Sequence, residues 1–108
     1  MKEFELKEYH YDLIEEVMEE FDFEKMFNVM NYLNWEWATC VENGPSVPTI
    51  KEIRKLARSL MKDCIKKAQA NEHKLMTIST AGFEVYYNET DRFLSLKFIV
   101  EGWDAYKD

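Results

Sequence analysis

Apolar residues recur at helical spacing through the first third of the chain. In the stretch LKEYHYDLIEEVMEEF they occupy positions 6, 9, 13, 14, 17, 18 and 21, which is the spacing of one buried helical stripe. A second stretch, FEKMFNVMNYL, repeats this spacing, and Asp22 is placed to cap it. The pattern predicts either one bent helix or a pair of helices.

The clearest helical signal follows the loop sequence NGPSVP. Thr49 and Glu52 have the spacing of a capping box, in which each side chain accepts a hydrogen bond from the other residue's backbone N–H. Apolar residues then recur at steps of three and four from position 50 to position 68. These features predict a helix of about five turns.

From residue 74 the apolar period changes to two. KLMTIST alternates, FEVYYN places Phe83, Val85 and Tyr87 on one side, and FLSLKFIV alternates again after the turn sequence ETDR. This pattern predicts two or three antiparallel strands in a meander. We therefore expect a single α+β domain over residues 1–108, helical over 1–70 and β-rich over 74–101, with two or three helices packed on one face of a small antiparallel sheet.

Charge is distributed unevenly along the chain. The net charge is −7, yet residues 1–24 hold ten acidic and two basic side chains, whereas residues 51–67 hold seven basic and two acidic ones. The net charge argues against generic binding to nucleic acid or to anionic membranes. No apolar run approaches the roughly 20 residues of a membrane span, and the N-terminal sequence lacks the apolar stretch of a signal peptide. A cytosolic protein is expected, with Cys40 and Cys64 as thiols and Cys64 in the core.

Catalytic and metal-binding patterns are scarce. The sequence contains no phosphate-binding glycine loop, no nucleophile elbow and no zinc-ligand spacing. His10 and His73 are expected to be partly exposed helix or loop residues. We therefore expect a protein that is not an enzyme and that carries no cofactor or metal.

Five basic residues of the third predicted helix share one face, because they fall at steps of three and four. They are Lys51, Arg54, Lys55, Arg58 and Lys62. One interpretation is a solvated face that balances the acidic N-terminal helix, in the same chain or in a neighbouring subunit. The other is an anion site, where Arg54 and Arg58 contact phosphate oxygens and Lys51 lies in the first helical turn beside exposed backbone N–H groups.

Two tryptophans lie two residues apart in the sequence NWEWA. In an extended segment Trp35 and Trp37 would face the same way, whereas in a helix they would point about 200° apart. Core or edge packing is one explanation, and an aromatic wall that stacks on a base or anchors a partner is the other. We expect Trp35 to be the core residue and Trp37 to be the ligand or partner contact.

The stretch TAGFEVYYNETDRFLSLKF offers two further candidates. Gly82 would let a ligand approach the backbone closely, since it has no side chain. Arg92 adds a positive group to this part of the chain. The competing explanation for both positions is ordinary turn and sheet surface.

Residues 20 to 100 resemble a group of short, mostly uncharacterised proteins of tailed bacteriophages. The resemblance is carried by FDFEKMFNVMNYLNWEW, by IKEIRKLARSLMKDCIKKA after a proline, and by TISTAGFEVYY followed by LSLKFIV. Similar phage proteins often have two glycines where this chain has Ala81 and Gly82. The resemblance implies a phage accessory gene, a class with many proteins that blunt bacterial immunity by sequestering nucleotide second messengers or by blocking a nuclease.

Two functions follow from the residues and the resemblance together. In the first, the protein sequesters a small phosphorylated nucleotide in the host cytoplasm, at a pocket formed in a homo-oligomer. The expected ligand-binding residues are Trp37, Trp35, Lys51, Arg54, Arg58, Arg92 and Gly82. In the second, the acidic helix over residues 3–24 docks on a basic groove of a host defence protein or nuclease, and charge complementarity speeds the encounter.

Overall fold

Helices occupy the first part of the chain and strands the last part. In a computed structural model of the protein, which describes residues 5–29, 49–80 and 82–99, three helices accompany a three-stranded antiparallel sheet. The elements are α1 (Glu8–Glu20), α2 (residues 23–29), α3 (Ile50–Ala70), β1 (Leu75–Thr80), β2 (Phe83–Asn88) and β3 (Phe93–Phe98). The predicted α+β class is confirmed. Among the described residues, no helix has both the length and the apolar character needed to span a bilayer.

α1 and α2 are separate helices. Phe21 is extended, with φ −76° and ψ 132°, so the helical hydrogen-bond ladder stops there. The Asp22 carboxylate then accepts the Lys25 backbone N–H at 3.0 Å and caps α2. The sequence pattern is compatible with one bent helix or a helix pair, and the structure shows the pair.

The capping box of α3 forms as the sequence predicts. Thr49 Oγ1 accepts the Glu52 N–H at 3.2 Å, and Glu52 Oε1 accepts the Thr49 N–H at 2.9 Å. The face of α3 turned to the core buries Ile53, Ala57, Met61, Cys64, Ile65 and Ala68. A side chain that is lost from this face leaves a cavity, because neighbouring groups relax only in part.

The sheet presents one face to the helices. Its strands are ordered β1-β2-β3, and the central strand buries Phe83, Val85 and Tyr87, as the alternation predicts. α3 packs on β1 and β2, while α1 packs on β3 and on α3. The described helices α1 and α3 therefore cover a single face of the sheet, and side chains such as Tyr86 and Phe93 lie on the other.

Cys64 is a core residue, which confirms the expectation from the sequence. Its side chain is inaccessible to solvent, and its thiol donates to the Met76 carbonyl oxygen at 3.3 Å. Burial raises the pKa of the Cys64 thiol to about 11, since a thiolate would be poorly solvated there. Cys40 lies outside the described residues.

Candidate functional site

A groove of about 580 Å³ follows the basic face of α3. We call it the basic groove. The described residues that line it are Ile50, Lys51, Arg54, Lys55, Arg58, Ser59 and Lys62. The capped first turn and the helical spacing of three and four bring all five predicted cations to one surface.

Arg58 is engaged by the acidic helix. Its Nε donates to Glu15 Oε2 at 3.0 Å, and its second guanidinium nitrogen donates to Glu15 Oε1 at 2.9 Å. These hydrogen bonds lower the pKa of the Glu15 carboxyl. At this one position the basic face balances α1 within the same chain, so a phosphate would have to compete with a bidentate carboxylate.

Two other cations of the groove rest on aromatic rings. The Arg54 guanidinium carbon lies 5.1 Å from the Phe23 ring centroid, and Lys62 Nζ lies 5.8 Å from that of Tyr11. A ring attracts the cation without neutralising it. In the described part of the chain, no carboxylate forms an ion pair with Lys51, Arg54, Lys55 or Lys62. The basic groove therefore keeps most of its positive charge.

The N-terminus of α3 already holds a carboxylate. Glu52 accepts hydrogen bonds from the backbone N–H and the hydroxyl of Thr49, and these bonds lower the pKa of its carboxyl. That carboxylate competes with any anion for the positive end of the helix. The attraction of this groove for an anion therefore rests on side chains, among them Lys51 in the first turn, more than on backbone N–H groups.

Gly82 and Arg92 lie at opposite ends of the sheet. Gly82 forms the β1–β2 turn with φ 85°, a left-handed conformation that glycine adopts without strain, and Arg92 ends the β2–β3 turn with φ 51°. The intervening strand of six residues spans about 20 Å. The Arg92 guanidinium stacks 3.8 Å above the Tyr9 ring. Residues 71–74 join the C-terminal end of α3 to the start of β1, so the turn of Arg92 lies far from Lys51.

Of the seven predicted ligand-binding residues, the structure brings together three. Lys51, Arg54 and Arg58 share the basic groove, whereas Gly82 and Arg92 do not line it among the described residues. Trp35 and Trp37 lie outside the described residues, so their predicted roles stay predictions.

A second polar constellation, which we call the Glu89 cluster, joins α1 to the β2–β3 turn. It consists of Tyr9, His10, Tyr87 and Glu89. The Glu89 carboxylate accepts the Tyr9 hydroxyl at 2.5 Å, the His10 Nε2 at 2.7 Å and the Tyr87 hydroxyl at 2.7 Å. His10 Nδ1 in turn accepts the Lys7 backbone N–H at 2.9 Å, which assigns the proton of the neutral ring to Nε2.

The expectation of a partly exposed His10 is wrong, because the side chain is completely buried. His10, Ile14 and Met18 are spaced by four residues, so the imidazole continues the buried stripe of α1. This spacing is the one sequence signal that could have indicated burial. The partner Glu89 lies 79 positions away, and no local pattern links the two. His73 is exposed, as expected.

Hydrogen bonding and burial set the protonation of the Glu89 cluster. Burial by itself would raise the pKa of Glu89, but the hydrogen bonds from Tyr9, His10 and Tyr87 outweigh it, and the pKa is lowered. Burial raises the pKa of Tyr87, and the hydrogen bond to Glu89 raises that of Tyr9. Because the imidazole is closed to solvent, we interpret the Glu89 cluster as a structural contact that holds α1 against the β2–β3 turn.

Comparison of the chain with protein-family models, with curated proteins and with solved structures finds no match. The resemblance to phage accessory proteins therefore stays a prediction from the sequence.

Proposed function

We propose that this protein is a non-enzymatic phage accessory protein that counters host immunity in the host cytoplasm by sequestering a small phosphorylated nucleotide. The observation that carries the proposal is the basic groove, where Lys51, Arg54, Lys55 and Lys62 form no ion pair with a described carboxylate. The chain's net charge of −7 would by itself repel a phosphorylated ligand. Cations gathered at one surface nevertheless create a local positive potential that attracts it.

The dimensions of the groove support a ligand of this class. Its volume of about 580 Å³ lies within the range of small-molecule pockets, roughly 300–1,000 Å³. Arg54 offers a planar fork for phosphate oxygens, and the lysines supply point charges. Sequestration requires binding without turnover, so no catalytic constellation is needed.

Two further parts would supply the remaining walls of the site. The described lining residues all belong to α3, and one helix face cannot enclose a nucleotide. Trp37, the expected ligand contact, precedes α3 in the sequence and would supply a stacking surface for a base, with Trp35 packed behind it. A second copy of the chain would close the groove, which makes a homo-oligomer part of the proposal.

A thermal-shift screen against cyclic dinucleotides and ADP-ribose tests the proposal. A ligand at 100 times its dissociation constant should stabilise the fold by about 2.7 kcal/mol. Lys51→Glu and Arg54→Glu should each abolish most of the shift, whereas Lys66→Glu, an equal charge change on exposed α3 surface outside the groove, should keep it. If no compound shifts the melting temperature, or if Lys66→Glu loses the shift equally, the proposal is wrong.

The exposed surface of α1 supports a second candidate, an inhibitor that docks on a host defence protein or nuclease. Exposed carboxylates recur every four residues along this helix, at Glu8, Asp12, Glu16 and Glu20. Like charges at this spacing destabilise a helix by about 0.2–0.5 kcal/mol per pair. This row of exposed carboxylates gives α1 a negatively charged surface that complements a basic partner. Asp12→Lys should then weaken inhibition of such a nuclease and leave nucleotide binding unchanged, and inhibition as strong as that of the wild type would contradict this candidate.

A further inference from the structure

A second groove, of about 400 Å³, lies between the C-terminal half of α1 and the outer side of β3. We call it the edge groove. Its described lining residues are Val17, Glu20, Phe21, Asp22, Phe93, Leu94, Ser95 and Leu96. Four consecutive residues of one strand line it, so the groove follows the edge of the strand as well as its faces.

The backbone of β3 offers hydrogen-bonding groups to this groove. The Ile99 N–H donates to the Gly82 carbonyl at 2.6 Å. In an antiparallel ladder, hydrogen-bonded and non-hydrogen-bonded residue pairs alternate, so every second residue of β3, counted from Ile99, is hydrogen-bonded to β2. The backbone N–H and C=O groups of the alternate residues Leu94 and Leu96 therefore point away from β2. In the described part of the chain, β3 is an edge strand: β2 pairs with one side of it, and no strand pairs with the other side.

The side chains around the groove have a mixed character. Val17 and Phe21 are half-buried apolar residues, and the carboxylates of Glu20 and Asp22 are exposed. Asp22 uses Oδ1 to cap α2. On the other side of the strand, Phe93 is 51% exposed. A ligand of this groove meets unpaired backbone, apolar surface and negative charge together.

We propose that the edge groove binds an extended, basic segment of a partner protein, which adds to β3 as a fourth strand. The segment's backbone would pair with Leu94 and Leu96. On the α1 side, the stems of alternating Lys or Arg residues would cover Val17 and Phe21, with their charged heads at the carboxylates. The intervening residues would face Phe93, where apolar side chains pair best across strands.

The negative charge of the edge groove favours a basic segment over two other occupants. A phosphorylated nucleotide or an acidic segment would be repelled by Glu20 and Asp22. A second copy of the chain that paired through the same edge would bring the carboxylates of both copies into one groove. The inference does not depend on whether the basic groove binds a nucleotide.

The direct test uses a fluorescein-labelled nine-residue peptide of alternating Lys and Val, with an alternating Glu and Val peptide as the matched control. Fluorescence anisotropy should show binding of the Lys peptide alone, and the affinity should weaken as salt rises. Amide hydrogen exchange should slow at Leu94 and Leu96. Equal binding of both peptides, or slowed exchange on β1 in place of β3, would overturn the proposal.

Two pairs of variants locate the contact. Glu20→Lys should weaken peptide binding about three- to tenfold, whereas Glu16→Lys, the same change on α1 outside the groove, should have little effect. Leu96→Pro removes an outward N–H of β3 together with part of a half-buried side chain, and Leu96→Ala, which loses the side chain but keeps the N–H, is its matched control. Proline is tolerated at such edge positions. Loss of binding only in Leu96→Pro supports the proposal, and an equal response within either pair contradicts it.

Discussion

At the scale of single residues, Glu89 connects positions that lie 79 and 80 residues apart in the sequence. Its carboxylate accepts three hydrogen bonds, two of them from consecutive residues of α1. Glu89→Gln keeps the size of the side chain but removes the charge and places an NH₂ group opposite donors. We expect it to lower the free energy of unfolding by about 1–3 kcal/mol in urea melts. Glu84→Gln, on the face of β2 that the helices do not cover, should change the free energy of unfolding by less than about 0.5 kcal/mol.

The pH dependence of stability should report the same carboxylate. The pKa of Glu89 is lower in the folded chain than in the unfolded one, so folding favours its ionised form. The resulting stabilisation is fully present above the unfolded pKa of about 4.3 and is lost as pH falls through the folded pKa. The difference in unfolding free energy between wild type and Glu89→Gln should therefore shrink as the pH falls over the range from about 4.3 to 3. A difference that stays constant over this range contradicts the role given to Glu89.

The buried position of Cys64 predicts that its thiol does not react while the protein is folded. A thiol with a pKa raised to about 11 holds almost no thiolate at pH 8, and the side chain has no access to solvent. The stability that the neutral thiol contributes is present below its unfolded pKa of about 8.5 and declines at higher pH. In a Cys40→Ser background, a disulfide reagent at pH 8 should modify Cys64 only after urea unfolds the protein. Rapid modification without urea would contradict the buried position.

At the scale of elements, α3 provides the central packing surface. Met61 is fully buried in the core, whereas Leu56, five residues earlier, is 38% exposed. Met61→Ala should cost about 2–5 kcal/mol, because it combines a lost transfer free energy with a cavity. Leu56→Ala should cost clearly less, since more of its surface already contacts water. Similar losses in the urea melts of both variants would mean that α3 is rotated relative to the sheet.

The elements themselves can be predicted from the sequence because their signals are local. The Thr49–Glu52 spacing predicts the start of α3, and the alternation of Phe83, Val85 and Tyr87 predicts which side of β2 is buried. The pattern could not show that His10 is buried against Glu89, because that contact joins positions 79 residues apart. The helical spacing groups the cations of α3 correctly, yet it could not place Arg92 at the far end of the sheet, since this depends on strand direction.

At the scale of the whole molecule, two surfaces of opposite charge lie on neighbouring helices. The described ion pair between them is Glu15–Arg58, whose side chains are 57% and 38% exposed, and Lys62 of α3 also lies over the Tyr11 ring of α1. An exposed pair of this kind contributes about 0–1 kcal/mol. Most of the charge on α1 and α3 therefore remains available to other molecules, including further copies of the chain.

Salt should reveal an assembly held by these charges. If the acidic surface of α1 meets the basic groove of another copy, raising the salt concentration should shift the mass measured by light scattering towards the monomer. Exposed charges are screened beyond about 8–10 Å at physiological ionic strength, and over shorter distances at higher salt. A monomer whose mass is the same at every salt concentration contradicts this form of the homo-oligomer.

The proposed function depends on the binding of a phosphorylated nucleotide in the basic groove of α3. The most direct measurement is an NMR titration of the ¹⁵N-labelled protein with the cyclic dinucleotide or ADP-ribose that gives the largest thermal shift. We predict chemical-shift changes concentrated in the backbone amides of residues 50–62, and their loss in Arg54→Glu but not in Lys66→Glu. Changes centred on the Glu89 cluster or the edge groove, or no change with any of these nucleotides, would contradict the proposed function.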